Sequence, residues 1–201
     1  MALASPSASS TVPRLERLKA AARKPGEASF FYHDAHFKND AVKILPGEYF
    51  VYDEDMLIMT TLGSCIASCL WDRDARVGGM NHFMLPDGAG DNGRYGTFAM
   101  ERLIDELLKQ GATRSALQAK VFGGGQVLAG MDRLNVGERN TRFVLDYLDT
   151  ARIPVVSQDV LDAYPRKVCF LPSSGRVMVR RLAAAADSTG RFRPDEATRS
   201  R

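Results

Sequence analysis

Short apolar runs that end at turn residues fill the middle of this chain, and they restrict its fold more than any other feature. Runs of four to eight aliphatic and aromatic residues bounded by Gly, Asp or Ser are typical of β-strands. We predict strands at 47–52, 56–61, 77–84, 119–122, 153–156, 167–171 and 176–182. The segment 65–71 mixes small and large residues in approximate alternation and favours a strand, with a short helix as the alternative.

Two longer segments have the spacing of amphipathic helices instead. In 95–110 the apolar residues Leu103, Ile104, Leu107 and Leu108 recur at helical intervals, and Gly111 follows. A second such pattern runs from 136 to 149. Because strands and helices alternate irregularly, we predict an α/β (α+β) layered fold.

The two ends of the chain differ in composition from this middle part. The N-terminus is rich in Ser, Ala and Pro, with one short basic helix predicted at 13–24, and the last residues show no apolar periodicity. We therefore divide the chain into a largely flexible N-terminal extension at 1–41, a folded domain at 42–183 and a flexible C-terminal tail at 184–201.

Charge and cysteine content exclude several classes of protein. The formal net charge is +3, much of it in the two ends, and no basic stripe with aromatics argues for nucleic-acid binding. No apolar run is long enough to cross a membrane, and the first residues do not resemble a signal peptide. Three cysteines, an odd number, argue against a disulfide scaffold and favour a reducing, cytoplasmic compartment.

Cys65 and His82 are the residues with the clearest catalytic potential. Cys65 directly follows Gly63-Ser64, a turn whose free N–H groups can stabilise a thiolate or an oxyanion. A nearby base makes a thiolate available, and the other two histidines, His33 and His36, lie in the N-terminal extension. From the residues alone, Cys65 stays open between a buried thiol and a nucleophile, and His82 between a core histidine and a base.

Other uses of these residues fit the patterns less well. A zinc site would need Cys65, Cys69, His82 and Cys169, but a Cys-x₃-Cys spacing on a strand is poor for one. The run 123–125 is Gly-Gly-Gly after a strand, yet it matches no phosphate-binding pattern and predicts a close-packed turn. We expect no metal and no cofactor.

Several segments in order resemble the CheD family, the chemoreceptor glutamine deamidases of bacterial chemotaxis. The resemblance lies in LGSCIASCL at 62–70, GGMNHFMLP at 78–86, KVFGG at 120–124 and NVGERN at 135–140, and it spans about 42–182. It departs at 159–166, which reads DVLDAYPR where the family usually has a Gly-Gly turn.

The resemblance implies an enzyme that hydrolyses glutamine side chains of methyl-accepting chemotaxis receptors to glutamate and releases ammonia. It places the catalytic cysteine at Cys65, the histidine at His82 and a threonine at Thr60, which we prefer to Thr61. It also implies a layered sandwich of mixed sheets with flanking helices, as in the deamidase domain of cytotoxic necrotizing factor. Some members bind the CheC phosphatase, so a non-catalytic partner of such a phosphatase is the alternative function.

Overall fold

The computed structural model describes residues 12–86, 93–126, 135–182 and 193–194, which form strands and a few helices. The helices are α1 (Arg14–Ala20), α2 (Gly96–Lys109) and α3 (Val136–Thr150), with a 3-10 turn at Arg114–Ala116. The strands are β1 (Phe30–Asp34), β2 (Asn39–Lys43), β3 (Tyr49–Tyr52), β4 (Leu57–Leu62), β5 (Ile66–Asp72), β6 (Val77–Asn81), β7 (Leu117–Gly123), β8 (Val155–Val160), β9 (Arg166–Leu171), β10 (Arg176–Arg181) and β11 (Arg193–Pro194).

Within the described residues the strands form two mixed sheets. One has six strands in the order β1-β2-β4-β9-β10-β11, and the other has five in the order β3-β6-β5-β7-β8. Most neighbours are antiparallel, but β2 runs parallel to β4 and β7 runs parallel to β8. In each parallel pair, other elements lie between the two strands along the chain, because parallel strands cannot be connected by a tight hairpin.

Two apolar cores hold these layers together. The first lies between the two sheets, where Ile58 and Phe170 of one sheet meet Met80 and Phe122 of the other. The second lies on the other face of the five-stranded sheet, where the apolar stripes of α2 and α3 pack, as Leu103 and Val144 show. The order of layers is therefore helices, five-stranded sheet, six-stranded sheet.

Close contact between these layers depends on two glycines in the middle of β6. A Cβ at Gly78 would lie 2.6 Å from the carbonyl oxygen of Pro172, on the six-stranded sheet side. A Cβ at Gly79 would lie 2.8 Å from Leu103 Cδ1, on the helix side. Because neither glycine has a side chain, β6 fits tightly between both neighbouring layers.

The predicted α+β class and its layered architecture are confirmed, and so is each predicted strand and helix, with shifted ends. The segment after Cys65 is strand β5 rather than the alternative helix. Strand β8 starts only after Pro154, which has no N–H to give to a sheet. No helix in the described part of the chain is long and apolar enough to span a membrane.

The N-terminal part contributes more to the fold than its composition indicates. Strands β1 and β2 lie in the six-stranded sheet, so 30–34 and 39–41, within the extension predicted at 1–41, are part of that sheet. Phe31 and Val42 point into the core between the sheets, but the polar turn at 34–38 hides this pairing in the sequence. The predicted tail at 184–201 lies outside the described residues except for β11.

A Gly78→Ala substitution tests the close approach of the two sheets. The new methyl group would overlap a backbone carbonyl that has no rotamer to change, so we expect the free energy of unfolding to fall by about 1–3 kcal/mol. Urea unfolding followed by circular dichroism measures it, with Arg73→Ala in an exposed turn as the control. Equal stability of the two variants would contradict this account of β6.

Candidate active site

Thr60 and His82 meet in the space between the two sheets. Thr60 lies on β4 of the six-stranded sheet, and His82 directly follows β6 of the five-stranded sheet. Their side chains are 2.9 Å apart, from Thr60 Oγ1 to His82 Nδ1, and both residues are at most 3% exposed. The pair therefore forms a buried polar contact across the interface between the layers.

The hydrogen bonds around Thr60 determine which nitrogen of His82 carries the proton. Thr60 Oγ1 also lies 2.8 Å from the carbonyl oxygen of Ile44, and a carbonyl only accepts. The single hydroxyl proton is therefore donated to Ile44, and the bond to His82 requires a proton on Nδ1. This leaves the Nε2 atom of a neutral His82 with a free lone pair.

Burial keeps His82 in that neutral form. The low-polarity surroundings disfavour the imidazolium ion and lower the pKa of His82 from 6.5 to about 4. Its Nε2 atom is buried and has no hydrogen-bond partner among the described residues. At neutral pH, His82 is thus a neutral imidazole with its proton on Nδ1 and no hydrogen-bond partner for Nε2 among the described residues.

Cys65 lies on the same face of the five-stranded sheet as His82. Ile66 exchanges two 3.0 Å backbone hydrogen bonds with Phe83, and Cys69 pairs with Met80 in the same register. In this register Ala67 is opposite His82, and Cys65 is the next residue on that face. Diagonal neighbours of this kind have Cβ atoms about 7 Å apart, within reach of two side chains.

The Cys65 thiol is partly exposed and free. Burial raises its pKa, while its own backbone N–H lowers it in part. Cys69 and Cys169 differ because each is at most 1% exposed within an apolar cluster. Burial raises the pKa of Cys169 to about 12, and this thiol lies in a separate cluster on the outer face of the six-stranded sheet.

The glycine run after β7 holds the turn that carries Cys65. Gly124 and Gly125 donate backbone hydrogen bonds of 2.8 Å to the carbonyls of Cys65 and Gly63. Gly124 has a left-handed φ of +65°, and a Cβ there would lie 2.9 Å from the carbonyl oxygen of Gly137 on α3. The run is a close-packed turn, and its N–H groups hold the backbone on both sides of Ser64.

The other residues considered as catalytic or metal-binding candidates lie apart from this contact. Thr61 is exposed, and it is Thr60 that lies within hydrogen-bond distance of the histidine. His33 and His36 are exposed on or just after β1. No cluster of three or more His, Cys, Asp or Glu side chains able to hold a metal occurs in the described ranges.

Two buried polar residues near the site were not identified from the sequence. Asn140 of α3 is fully buried and donates to the carbonyls of Ser64 and Met84 at 2.9 and 2.8 Å. Arg166 of β9 is also fully buried and pairs with Asp159 at 2.7 Å. The signal for Asn140 was its place four residues before Val144 on the apolar stripe of α3, where a polar side chain needs a buried partner.

The segment 159–166, where the sequence departs from the CheD pattern, forms a turn beside the glycine run. Leu161 and Asp162 both have left-handed φ values, 63° and 70°, which glycine adopts more easily than either residue. Arg166 donates to the carbonyls of Leu161 and Tyr164 at 2.5 and 3.1 Å, which fixes the turn from inside. Two consecutive left-handed residues thus form this turn without glycine.

The comparisons by sequence agree on one family. Residues 84–181 match the family described as CheD, chemotactic sensory transduction. The chain is 64% identical over 184 residues to a probable chemoreceptor glutamine deamidase CheD 1 of Albidiferax ferrireducens, covering 90% of this chain and 79% of that protein. It is 54% identical to a protein of the same name from Shewanella oneidensis, covering 79% of this chain and 80% of that one.

A solved structure shows a more distant likeness. The crystal structure of the Bacillus licheniformis hypothetical protein YfiH matches with a TM-score of 0.35 and 12% identity, over 57% of this chain and 49% of that one. Family membership rests on the sequence relatives, which match over most of their own length. This chain belongs to the CheD family.

Proposed function

We propose that this protein deamidates glutamine side chains of chemoreceptors, with Cys65 as nucleophile, His82 as base and Thr60 as the residue that orients His82. The names of its relatives support the reaction and the substrate. The observation that carries the mechanism is the hydrogen bond from His82 to Thr60, because it leaves Nε2 free on the face that Cys65 shares.

The resting pair is a neutral thiol and a neutral imidazole. A lowered pKa of His82 and a raised pKa of Cys65 both oppose a preformed ion pair. The thiol proton therefore passes to Nε2 as the sulfur attacks, which is general-base catalysis of a nucleophilic step.

Each step then has a group to perform it. The sulfur bonds to the glutamine Cδ, and backbone N–H groups around residues 63–65 stabilise the oxyanion. The proton on Nε2 passes to the amide nitrogen, the C–N bond breaks, and ammonia departs. The glutamyl group remains bound to Cys65 as a thioester. Nε2 next takes a proton from water, whose hydroxide attacks the thioester carbon. The C–S bond then breaks, the proton on Nε2 returns to the sulfur, and glutamate is released from the restored thiol.

The proposed chemistry also fits the expected compartment and partners. A free thiol nucleophile persists in a reducing compartment, so we place the reaction in the cytoplasm. Each turnover adds a negative charge to the receptor. Binding to a CheC-type phosphatase stays a prediction from the resemblance.

Substitution of the nucleophile is the direct test of the proposal. Cys65→Ala removes the attacking sulfur, so we expect the rate of glutamine deamidation to fall by about 10³-fold or more. The measurement is the intact mass of a receptor cytoplasmic fragment and the release of ammonia. Cys69→Ala is the matched control, since this buried thiol lies four residues along the same strand face. Wild-type activity in Cys65→Ala would overturn the mechanism.

Thr60 should act through the tautomer of His82. Thr60→Val keeps the shape but removes the hydroxyl, so Nδ1–H loses its acceptor and the wrong tautomer becomes accessible. We expect kcat to fall by about 10²–10⁴-fold with little change in KM. Thr60→Ser should restore most of the rate, and Thr61→Val should leave it unchanged. If Thr60→Val and Thr61→Val have the same kcat, Thr60 has no orienting role.

The lowered pKa of His82 should make stability fall with acid. Between pH 6.5 and about 4 the unfolded chain binds a proton at this histidine and the folded chain does not. The free energy of unfolding therefore decreases as pH falls through this window, by about 3 kcal/mol in total.

Urea unfolding of wild type and His82→Gln from pH 8 to pH 4 measures this contribution. The variant should lack it, so the two curves run parallel above pH 7 and converge or cross below. Parallel curves over the whole range would show that His82 is not held neutral in the folded state.

A further inference from the structure

Asn140 binds the two backbone segments that carry the proposed catalytic residues. Its Nδ2 atom donates to the carbonyl of Ser64, directly before Cys65, and to the carbonyl of Met84, two residues after His82. Both contacts are to carbonyl oxygens, so the nitrogen of the amide must face them. Its Oδ1 atom is buried with no partner among the described residues, so the side-chain amide acts here through its two N–H donors.

The contact occurs where the ladder between β5 and β6 stops. Ile66 and Phe83 form the last hydrogen-bonded pair, and in a continuing ladder the N–H of Leu85 would donate to Ser64. Leu85 N–H instead donates to the carbonyl of Arg94 at 3.1 Å. Asn140 therefore supplies the hydrogen bond that Ser64 would have received from the neighbouring strand.

This exchange bears on Cys65 through one peptide group. The carbonyl of Ser64 and the N–H of Cys65 are the two ends of the same planar unit. A donor held on the oxygen fixes the direction of the N–H and makes it a stronger donor, because hydrogen bonds in a chain polarise one another. That N–H belongs to the same residue as the sulfur and lowers the pKa of the thiol in part, so it can act on the thiolate and on the oxyanion.

We propose that Asn140 is a positioning residue for the reaction: by donating to Ser64 and Met84 it separates the ends of β5 and β6 and aims the Cys65 N–H at the reacting atoms. The proposal rests on the proposed function and adds to it a residue on α3 that touches neither substrate nor sulfur. It accounts for a fully buried asparagine on the apolar stripe of that helix.

The experiment compares two buried asparagines. Asn140→Leu keeps the branched shape and removes the donors. Asn81→Leu is the matched control, because Asn81 is equally buried and bonds Ser68 and Ala99, away from Cys65. The rate of Cys65 alkylation by iodoacetamide is measured from pH 6 to 10 by peptide mass, beside kcat and KM on the receptor fragment and the melting temperature.

We expect both variants to melt at lower temperature, but only Asn140→Leu to change the alkylation profile of Cys65, because Asn81 contacts neither Ser64 nor Met84. Its apparent Cys65 pKa should rise by about 0.5–1 and its kcat fall by about 10–100-fold, with KM within about threefold. Every variant retains the histidine and the charged side chains on the elements around Cys65: His82 after β6, Asp72 on β5, Lys120 on β7, Asp159 on β8, Arg166 and Lys167 on β9, and Glu138, Arg139, Arg142, Asp146 and Asp149 on α3. The same alkylation profile in both variants would overturn the proposal.

A second variant keeps the test decisive if Asn140→Leu does not fold. Asn140→Asp has the same shape and keeps one donor only while its carboxyl is protonated, so its activity should fall as that acid ionises. A wild-type pH profile in Asn140→Asp would equally overturn the proposal. Alkylation needs no substrate, so wild-type protein that fails to deamidate would refute the proposed function alone.

Discussion

A threonine hydroxyl between two β-sheets fixes the protonation of His82, and the chemistry proposed for this site follows from that contact. The hydroxyl has one proton, which goes to the carbonyl of Ile44, so the imidazole must donate to the oxygen. Burial between the sheets then keeps the ring neutral. The same packing that stabilises the fold thus sets the state of the base, because both depend on close contact of the two layers.

The sequence predicts most strands and helices well, because the spacing of apolar residues and the positions of turn residues depend directly on local burial. It identifies β4 to β7 and both long helices, and its segment matches indicate the family. It misses the sheet role of β1 and β2, whose inward side chains are few and separated by polar residues. Pairing of β2 with β4 is a contact between distant segments, which no local pattern contains.

For the site, the sequence gives the residue types but not their arrangement. Cys65 and His82 can be identified because the thiol follows a Gly-Ser turn and the chain has only three histidines. Spacing alone leaves Thr60 and Thr61 equivalent. Only the register of β4 decides between these threonines, since adjacent residues face opposite sides of a sheet. Asn140 and Arg166 were missed because polar side chains usually indicate surface, whereas both are fully buried here.

The absence of side chains at Gly78 and Gly79 has a consequence for how the site tolerates change. With no side chains at these positions, β6 is held by the layers on both sides, and His82 extends directly from its end. A shift of either sheet would therefore move the imidazole relative to Thr60. Substitutions far from Cys65 that loosen the layers should act on the base first, so this domain couples the precision of its core packing to the orientation of one ring.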